Sequence, residues 1–179
     1  MSAEDRRRWD ERYRDADLPP VTVPSSFVGV EHHFPTAGRA LDVACGTGAG
    51  SLWLARRGLD VLGIDVSAVA VERATQRALT EPLQPVRVEF RVHDVDDGLP
   101  DGPFDVVVSH LFQDRRLDDA MVQALSPGGV LAIAALSEVG GSPGRFRVAA
   151  GELEARFAPL LDVVERHEAE GVAVLVGRR

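Results

Sequence analysis

The stretch from Arg39 to Ser67, RALDVACGTGAGSLWLARRGLDVLGIDVS, leaves little choice of fold. A short apolar run gives way to a glycine-bearing turn, then a helical pattern, then a second apolar run ending at Asp65. Strand, turn, helix and strand in that order make a parallel βαβ unit. Gly46 and Gly48 bare the backbone of the turn, so a ligand can approach N–H groups that a side chain would screen. Asp42 lies at the closing turn of the first strand, and Asp65 closes the second. An acid about 20 residues into such a unit is where a ribose diol is gripped. The segment therefore reads as the site of a nucleoside-bearing cofactor.

The alternation continues along the chain. Strands are expected near residues 39–43, 60–64, 86–92, 104–109, 129–135, 160–166 and 171–177, and helices near 48–57, 67–79, 114–125 and 150–158. Ahead of them, residues 4–16 carry Trp9, Tyr13 and Ala16 along one helical side. Leu18-Pro19-Pro20 through Pro24 ends that helix, and Ser25 or Ser26 caps a short helix reaching Phe34. The runs 104–108 and 130–136 are almost wholly apolar, which suits strands covered on both faces. Residues 86–92 instead alternate apolar and charged side chains, which suits an edge. Only His167 to Gly171 joins the last two strands, enough for a hairpin and too short for a parallel crossover. A mostly parallel sheet with one antiparallel strand near its end follows.

Charge and composition narrow the partners. The 179 residues suit a single domain, with an apolar fraction of 45% and a charged fraction of 27% like those of a soluble globule. The formal charge of −8 speaks against nucleic acid as a partner, since phosphate binding needs clustered positive charge. Arg6-Arg7-Arg8 is hemmed in by Glu4, Asp5, Asp10 and Glu11 and reads as a solvated helix face. No apolar run approaches the ~20 residues that span a bilayer, and the polar start is unlike a signal peptide, so no membrane is expected. Cys45 stands alone, so a reducing cytoplasm is the expected compartment. All 20 basic residues are arginine, with neither Lys nor Asn, the composition of a GC-rich bacterial genome. The pair His32-His33 has no accompanying ligand cluster, so no metal is expected.

The dinucleotide fingerprint fails at its third glycine, where Ser51 stands, and Asp42 would repel a pyrophosphate while suiting an ammonium. The order of motifs instead resembles that of class I S-adenosylmethionine-dependent methyltransferases from Arg39 onward. Asp42-Val43-Ala44-Cys45-Gly46-Thr47-Gly48 resembles the family's acid-x-Gly-x-Gly-x-Gly turn, with Ala44 in place of the first glycine. Asp65 in Gly63-Ile64-Asp65-Val66-Ser67, the His93-Asp94-Val95 step, Phe104 to His110 and Leu125-Ser126-Pro127-Gly128-Gly129 follow in the family's order. Trp9-Asp10-Glu11-Arg12-Tyr13 with Pro24-Ser25-Ser26-Phe27 is similar to the small-molecule group that includes tellurite-resistance and thiopurine-type enzymes. The resemblance implies an α/β fold: a Rossmann-like, doubly wound, seven-stranded, mostly parallel sheet with one antiparallel strand near the C-terminal edge. Residues 1–38 would be a helical lid and 39–179 the core.

What the resemblance implies for the site is equally specific. Asp42 would lie near the amino-acid moiety, Asp65 would take both ribose hydroxyls, and Asp94 and the Val95 amide would read the adenine. Val66 would pack on the adenine, Ala44, Gly46 and Gly48 would form the turn, Ser109 would close the methionine end, and Trp9 and Tyr13 would cover the cofactor. S-adenosylmethionine has a net positive charge, which three carboxylates at neighbouring strand ends complement. His110 is the candidate base, with Glu138 next, and a pocket bounded by Trp9, Phe27, His110, Phe112, Arg145 and Phe146 would take the acceptor, with Arg145 or Arg147 for an anionic one. The expected activity is methyl transfer to a small molecule by a monomer or homodimer. A non-catalytic cofactor-binding module and a nicotinamide-dependent oxidoreductase are the alternatives.

Overall fold

A computed structural model describes residues 3–83, 87–144 and 146–179. Among them, seven strands form one sheet: β1 (Gly38–Val43), β2 (Leu59–Asp65), β3 (Val88–Val92), β4 (Phe104–His110), β5 (Leu125–Leu136), β6 (Asp162–Ala169) and β7 (Val172–Arg178). Their order is β3-β2-β1-β4-β5-β7-β6. Neighbours from β3 to β5 run parallel, and β7 is antiparallel to both β5 and β6. The apolar β4 and β5 are central and the alternating β3 is an edge, as their burial patterns require. Val86, where the third strand was expected to begin, lies outside the described residues.

Five helices accompany the described strands: α1 (Ala3–Arg14), α2 (Ala49–Arg56), α3 (Ala68–Ala78), α4 (Asp118–Gln123) and α5 (Glu152–Phe157). Ser67 caps α3 by accepting from the Ala70 amide at 3.1 Å. Three expectations shift. The single helix from Ser25 to Phe34 is two 3-10 turns, Ser25–Phe27 and Glu31–His33, broken where Gly29 takes φ +92°. The helix expected at 114–125 begins as a 3-10 turn, Arg115–Leu117, before α4. The fifth strand starts earlier, at Leu125, with the expected Ser126–Gly129 turn kept as a bulge between the Leu125–Phe104 and Val130–Val106 pairs.

Period two sorts the strand residues onto two faces. Leu41, Val43, Val107, Leu131 and Ile133 meet Met121, Leu153 and Phe157 on one face. Ala40, Val106, Val108, Ala132 and Ala134 meet Leu54, Phe27 and Phe34 on the other. The sheet is thus the middle layer of three, with its carboxyl edge open at the switch point between β1 and β4.

Candidate functional site

Asp65 organises the carboxyl edge. Its Oδ2 accepts from the Gly46 amide at 2.8 Å and its Oδ1 from the Ser67 amide at 2.9 Å. One carboxylate therefore ties the glycine turn after β1 to the start of α3. Burial pushes its pKa up against the pull of those amides. Each oxygen keeps a second acceptor position after these bonds. The turn itself needs left-handed backbone at Gly46 (φ +53°) and Gly48 (φ +79°). A Cβ on Gly48 would stand 2.7 Å from the Phe90 ring, so glycine is required there for space as well as for conformation. Ala44 adopts φ +57°, a conformation that suits glycine, at the place where the resembling motif carries its first glycine.

Asp42 is placed differently from the expectation. It shares the face of Ala40, is buried, and its Oδ2 accepts from Ser51 Oγ of α2 at 2.6 Å. It stands under the glycine turn and is not on the wall of the cavity above it. Burial pushes its carboxyl up to about 7, against the Ser51 hydrogen bond. Cys45, next in the turn, has its thiol pushed up by burial and is no ready nucleophile.

A cavity of about 440 Å³ opens above this edge. The expected residues Ala44, Gly46, Asp65, Val66, Val95, His110, Trp9 and Tyr13 all line it. Gly48, Asp94 and Ser109 do not. Gly48 turns toward Phe90, Ser109 Oγ donates to the Phe112 carbonyl at 2.9 Å, and Asp94 accepts from Arg6 at 2.9 Å and from the Asp96 amide at 3.0 Å. Helix α1 forms the cover. Trp9 and Tyr13 stack with ring centroids 5.9 Å apart, and a Cβ on Gly46 would meet the Tyr13 hydroxyl oxygen at 3.0 Å. Burial first, and then the Asp65 carboxylate, push the Tyr13 phenol up to about 12, so it stays protonated.

On the β4 side, His110, Leu111 and Phe112 are consecutive wall residues. His110 Nε2 lies 3.2 Å from Ser26 Oγ, and burial lowers its pKa, so it is neutral near pH 7. Other expected acceptor residues fall elsewhere. Phe27 is buried in the core, Phe146 is exposed off the wall, and Arg145 lies outside the described residues. Glu138 is exposed and off the wall, and Arg147 Nη1 donates to the carbonyls of Ser137 at 2.7 Å and Gly171 at 3.2 Å. Arg12, Asp17 and Leu111 line the cavity unforeseen. The periodicity that picked out Trp9 and Tyr13 implies Arg12, one step from Tyr13, whereas nothing in a sequence marks a leucine with left-handed backbone.

Among the described residues, no three His, Cys, Asp or Glu side chains gather as metal ligands, and no helix is long and apolar enough to cross a membrane.

Residues 40–129 match a family described as a methyltransferase domain. A ribosomal RNA small subunit methyltransferase C of Alcanivorax borkumensis is 35% identical over 60% of this chain and 35% of its own length. The chloroplastic tocopherol O-methyltransferase of Arabidopsis thaliana is 29% identical over 69% of this chain and 38% of its own. The chain thus spans well under half the length of either relative. The solved structure of TehB from Haemophilus influenzae superposes with a TM-score of 0.74 at 20% identity, over 88% of this chain and 62% of that one, and so shares the fold. With a family match over half its length and the glycine turn, Asp65 and strand order already described, the chain belongs to the methyltransferase domain family.

Proposed function

We propose that this chain transfers a methyl group from S-adenosylmethionine to a small, neutral acceptor. One observation carries the reading: a covered cavity of about 440 Å³ in which the doubly tethered Asp65 faces an aromatic lid. That volume is near the lower end of the range of about 300–1,000 Å³ for small-molecule sites, and the cofactor must share it with the acceptor. The net charge of −8 supports a small acceptor over a phosphate backbone.

The residues fit the cofactor. Asp65 keeps acceptor positions for a diol, Gly46 lets the Tyr13 hydroxyl close over the turn where a Cβ would crowd it, and Val66 and Val95 offer apolar flanks for a base. Of the three expected carboxylates Asp65 alone faces the cavity: Asp42 lies beneath the turn with its carboxyl raised to about 7, and Asp94 is tied to Arg6 and the Asp96 amide. When bound, S-adenosylmethionine supplies a methyl group on a sulfonium that needs neither metal nor covalent enzyme intermediate to leave.

What the chain contributes is alignment, exclusion of water and a place for a proton. Trp9 and Tyr13 cover the cavity from α1. In the tautomer in which His110 Nε2 donates to Ser26 Oγ, the Nδ1 of the neutral ring is left to accept the proton of a hydroxyl, thiol or amine. A pKa below the usual histidine range keeps that acceptor bare down through neutral pH. The rate with a hydroxyl acceptor is therefore flat near pH 7 and falls only on further acidification.

The test is calorimetric titration with S-adenosylhomocysteine, followed by a radiolabelled-methyl screen over phenols, thiols, amines and selenite. The expected result is binding, weakened by about 1.5–3 kcal/mol in Asp65→Ala through loss of hydrogen bonds to a charged group. Absence of binding at hundreds of micromolar refutes the reading. Binding without turnover of any acceptor converts it to the non-catalytic alternative.

A further inference from the structure

Three described non-glycine residues have left-handed backbone: Ala44 (φ +57°), Leu111 (φ +57°) and Glu170 (φ +53°). Glu170 belongs to the hairpin turn between β6 and β7, where such a conformation is ordinary. The other two line the cavity. Leu111 is the more costly case: both residues have a Cβ and no local hydrogen bond to offset its clash, but leucine adds the bulk of a branched side chain. Its side chain also gains little from burial, with 45% of the residue exposed.

The conformation is nevertheless fixed. The Leu111 amide donates to the Ala134 carbonyl of β5 at 2.8 Å, and Ser109 Oγ donates to the Phe112 carbonyl at 2.9 Å, closing the turn from the other side. Its consequence is geometric. In an extended strand, consecutive side chains point to opposite faces, so residues 110, 111 and 112 would not share a wall. The left-handed step breaks the alternation, and all three line the one cavity. Backbone strain held in place at a cavity wall marks a side chain whose direction matters to what enters.

The chemistry of that wall is apolar and uncharged: Leu111, Phe112 and a neutral His110. The carboxylates Asp65 and Asp17 and the guanidinium of Arg12 lie on β2 and the N-terminal arm, and the Arg12 guanidinium is over the Trp9 ring at 5.5 Å. Among the described wall residues, Arg12 is the one guanidinium, a poor complement for an inorganic oxyanion. We propose that Leu111 selects the acceptor: with Phe112 it receives the flat apolar face of a neutral molecule carrying one hydroxyl or thiol, and rejects small inorganic anions. This rests on the methyl-transfer reading above and adds the acceptor class to it.

The test uses the protein saturated with S-adenosylhomocysteine and follows binding of 2-naphthol, and separately of selenite, by calorimetry. Leu111→Gly removes the side chain and relieves the backbone, and Leu111→Asn keeps a side chain that tolerates this conformation. The expected result is that wild type binds 2-naphthol and not selenite, and that both variants lose about tenfold in 2-naphthol affinity. Both should hold S-adenosylhomocysteine as wild type does and melt no lower. A wild type that binds selenite and not 2-naphthol, or neither, overturns the proposal. So does unchanged 2-naphthol affinity in the variants, or a melting temperature lowered as for a core leucine. Failure of S-adenosylhomocysteine to bind at all strikes instead at the methyl-transfer reading, and so is told apart.

Discussion

The N-terminal arm is held to the domain by two different kinds of force. Helix α1 buries no residue. It is tied by Asp10, which accepts from Ser67 Oγ at 2.6 Å and the Val69 amide at 3.3 Å, by Arg6 on Asp94, and by Arg73, which donates to the Tyr13 and Ala16 carbonyls. A few residues later, Phe27 and Phe34 are buried in the core, with ring centroids 5.7 Å apart and Phe34 edge-on to Trp53 at 5.1 Å. Arg57 fastens the same segment, donating to the Glu31 carbonyl at 3.0 Å and the Phe34 carbonyl at 2.8 Å. An exposed ion pair such as Arg6–Asp94 contributes about 0.2–1 kcal/mol and a hydrogen bond to a charged group about 1.5–3 kcal/mol, whereas removing a buried phenylalanine costs about 3–5 kcal/mol. The segment carrying Phe27 is therefore part of the fold, whereas polar contacts hold α1 over the carboxyl edge of the sheet.

The largest effect should come from the buried half. Phe27→Ala removes a fully buried ring from the core face shared with Phe34 and Val106 and is expected to destabilise the protein by about 3–5 kcal/mol in denaturant unfolding. A loss below about 1 kcal/mol would mean that the whole arm is a removable cover and would erase the contrast.

Removing α1 should do the reverse. A helix of 12 residues without a buried face is marginal by itself, and the ties that dock it offset the entropy of ordering it. Deleting residues 3–14 is expected to leave the melting temperature almost unchanged while weakening S-adenosylhomocysteine about tenfold, through loss of the Trp9 and Tyr13 wall. Unchanged affinity would show that the lid has no part in binding. A collapse of stability would show that α1 belongs to the core.

The division at residue 38 that the sequence suggests joins these unlike halves, and the reason is physical. Proline and glycine punctuation marks where elements stop, but whether Phe27 is buried depends on the opposite face of a sheet formed far along the chain. The strands β4 and β5 were legible because continuous apolar runs have one common structural outcome, whereas the cap expected at Ser25 or Ser26 was not, since Pro24 takes that place with no side-chain hydrogen bond. Asp65 was legible for its place at a strand end. Asp42 shows the limit: strand position gives the end of the sheet, but not which face a side chain takes when both faces are covered. Leu111 is harder still, since its direction comes from a dihedral angle that leucine itself disfavours.

A milder perturbation separates the halves without mutation. Raising salt from about 0.05 to about 0.5 M shortens the screening length to a few ångströms and weakens exposed pairs such as Arg6–Asp94, while leaving buried rings untouched. Amide exchange should quicken across residues 3–14 and stay constant across residues 27–34. Equal acceleration in both would mean that the arm opens as one unit.

The smallest expected effect concerns the Arg6–Asp94 tie alone. Burial pushes the Asp94 carboxyl up, but hydrogen bonds from neighbouring groups, the Asp96 amide and Arg6 among them, outweigh this and hold it at about 2. A depressed folded-state value makes the tie's contribution full above the ordinary carboxylate range and lost only as pH falls through about 2. Docking of α1 through this pair is therefore constant between pH 5 and 8, so any pH dependence of cofactor binding there has another origin, such as the raised Asp42. Arg6→Ala should move the Asp94 carboxyl back toward its usual value in an NMR titration, part of the way only, because the Asp96 amide still donates to it. The melting temperature should stay within error, since Arg6 is half exposed. A large drop in stability from this one exposed arginine would place α1 with Phe27 and Phe34, as structure that cannot lift without the domain coming apart.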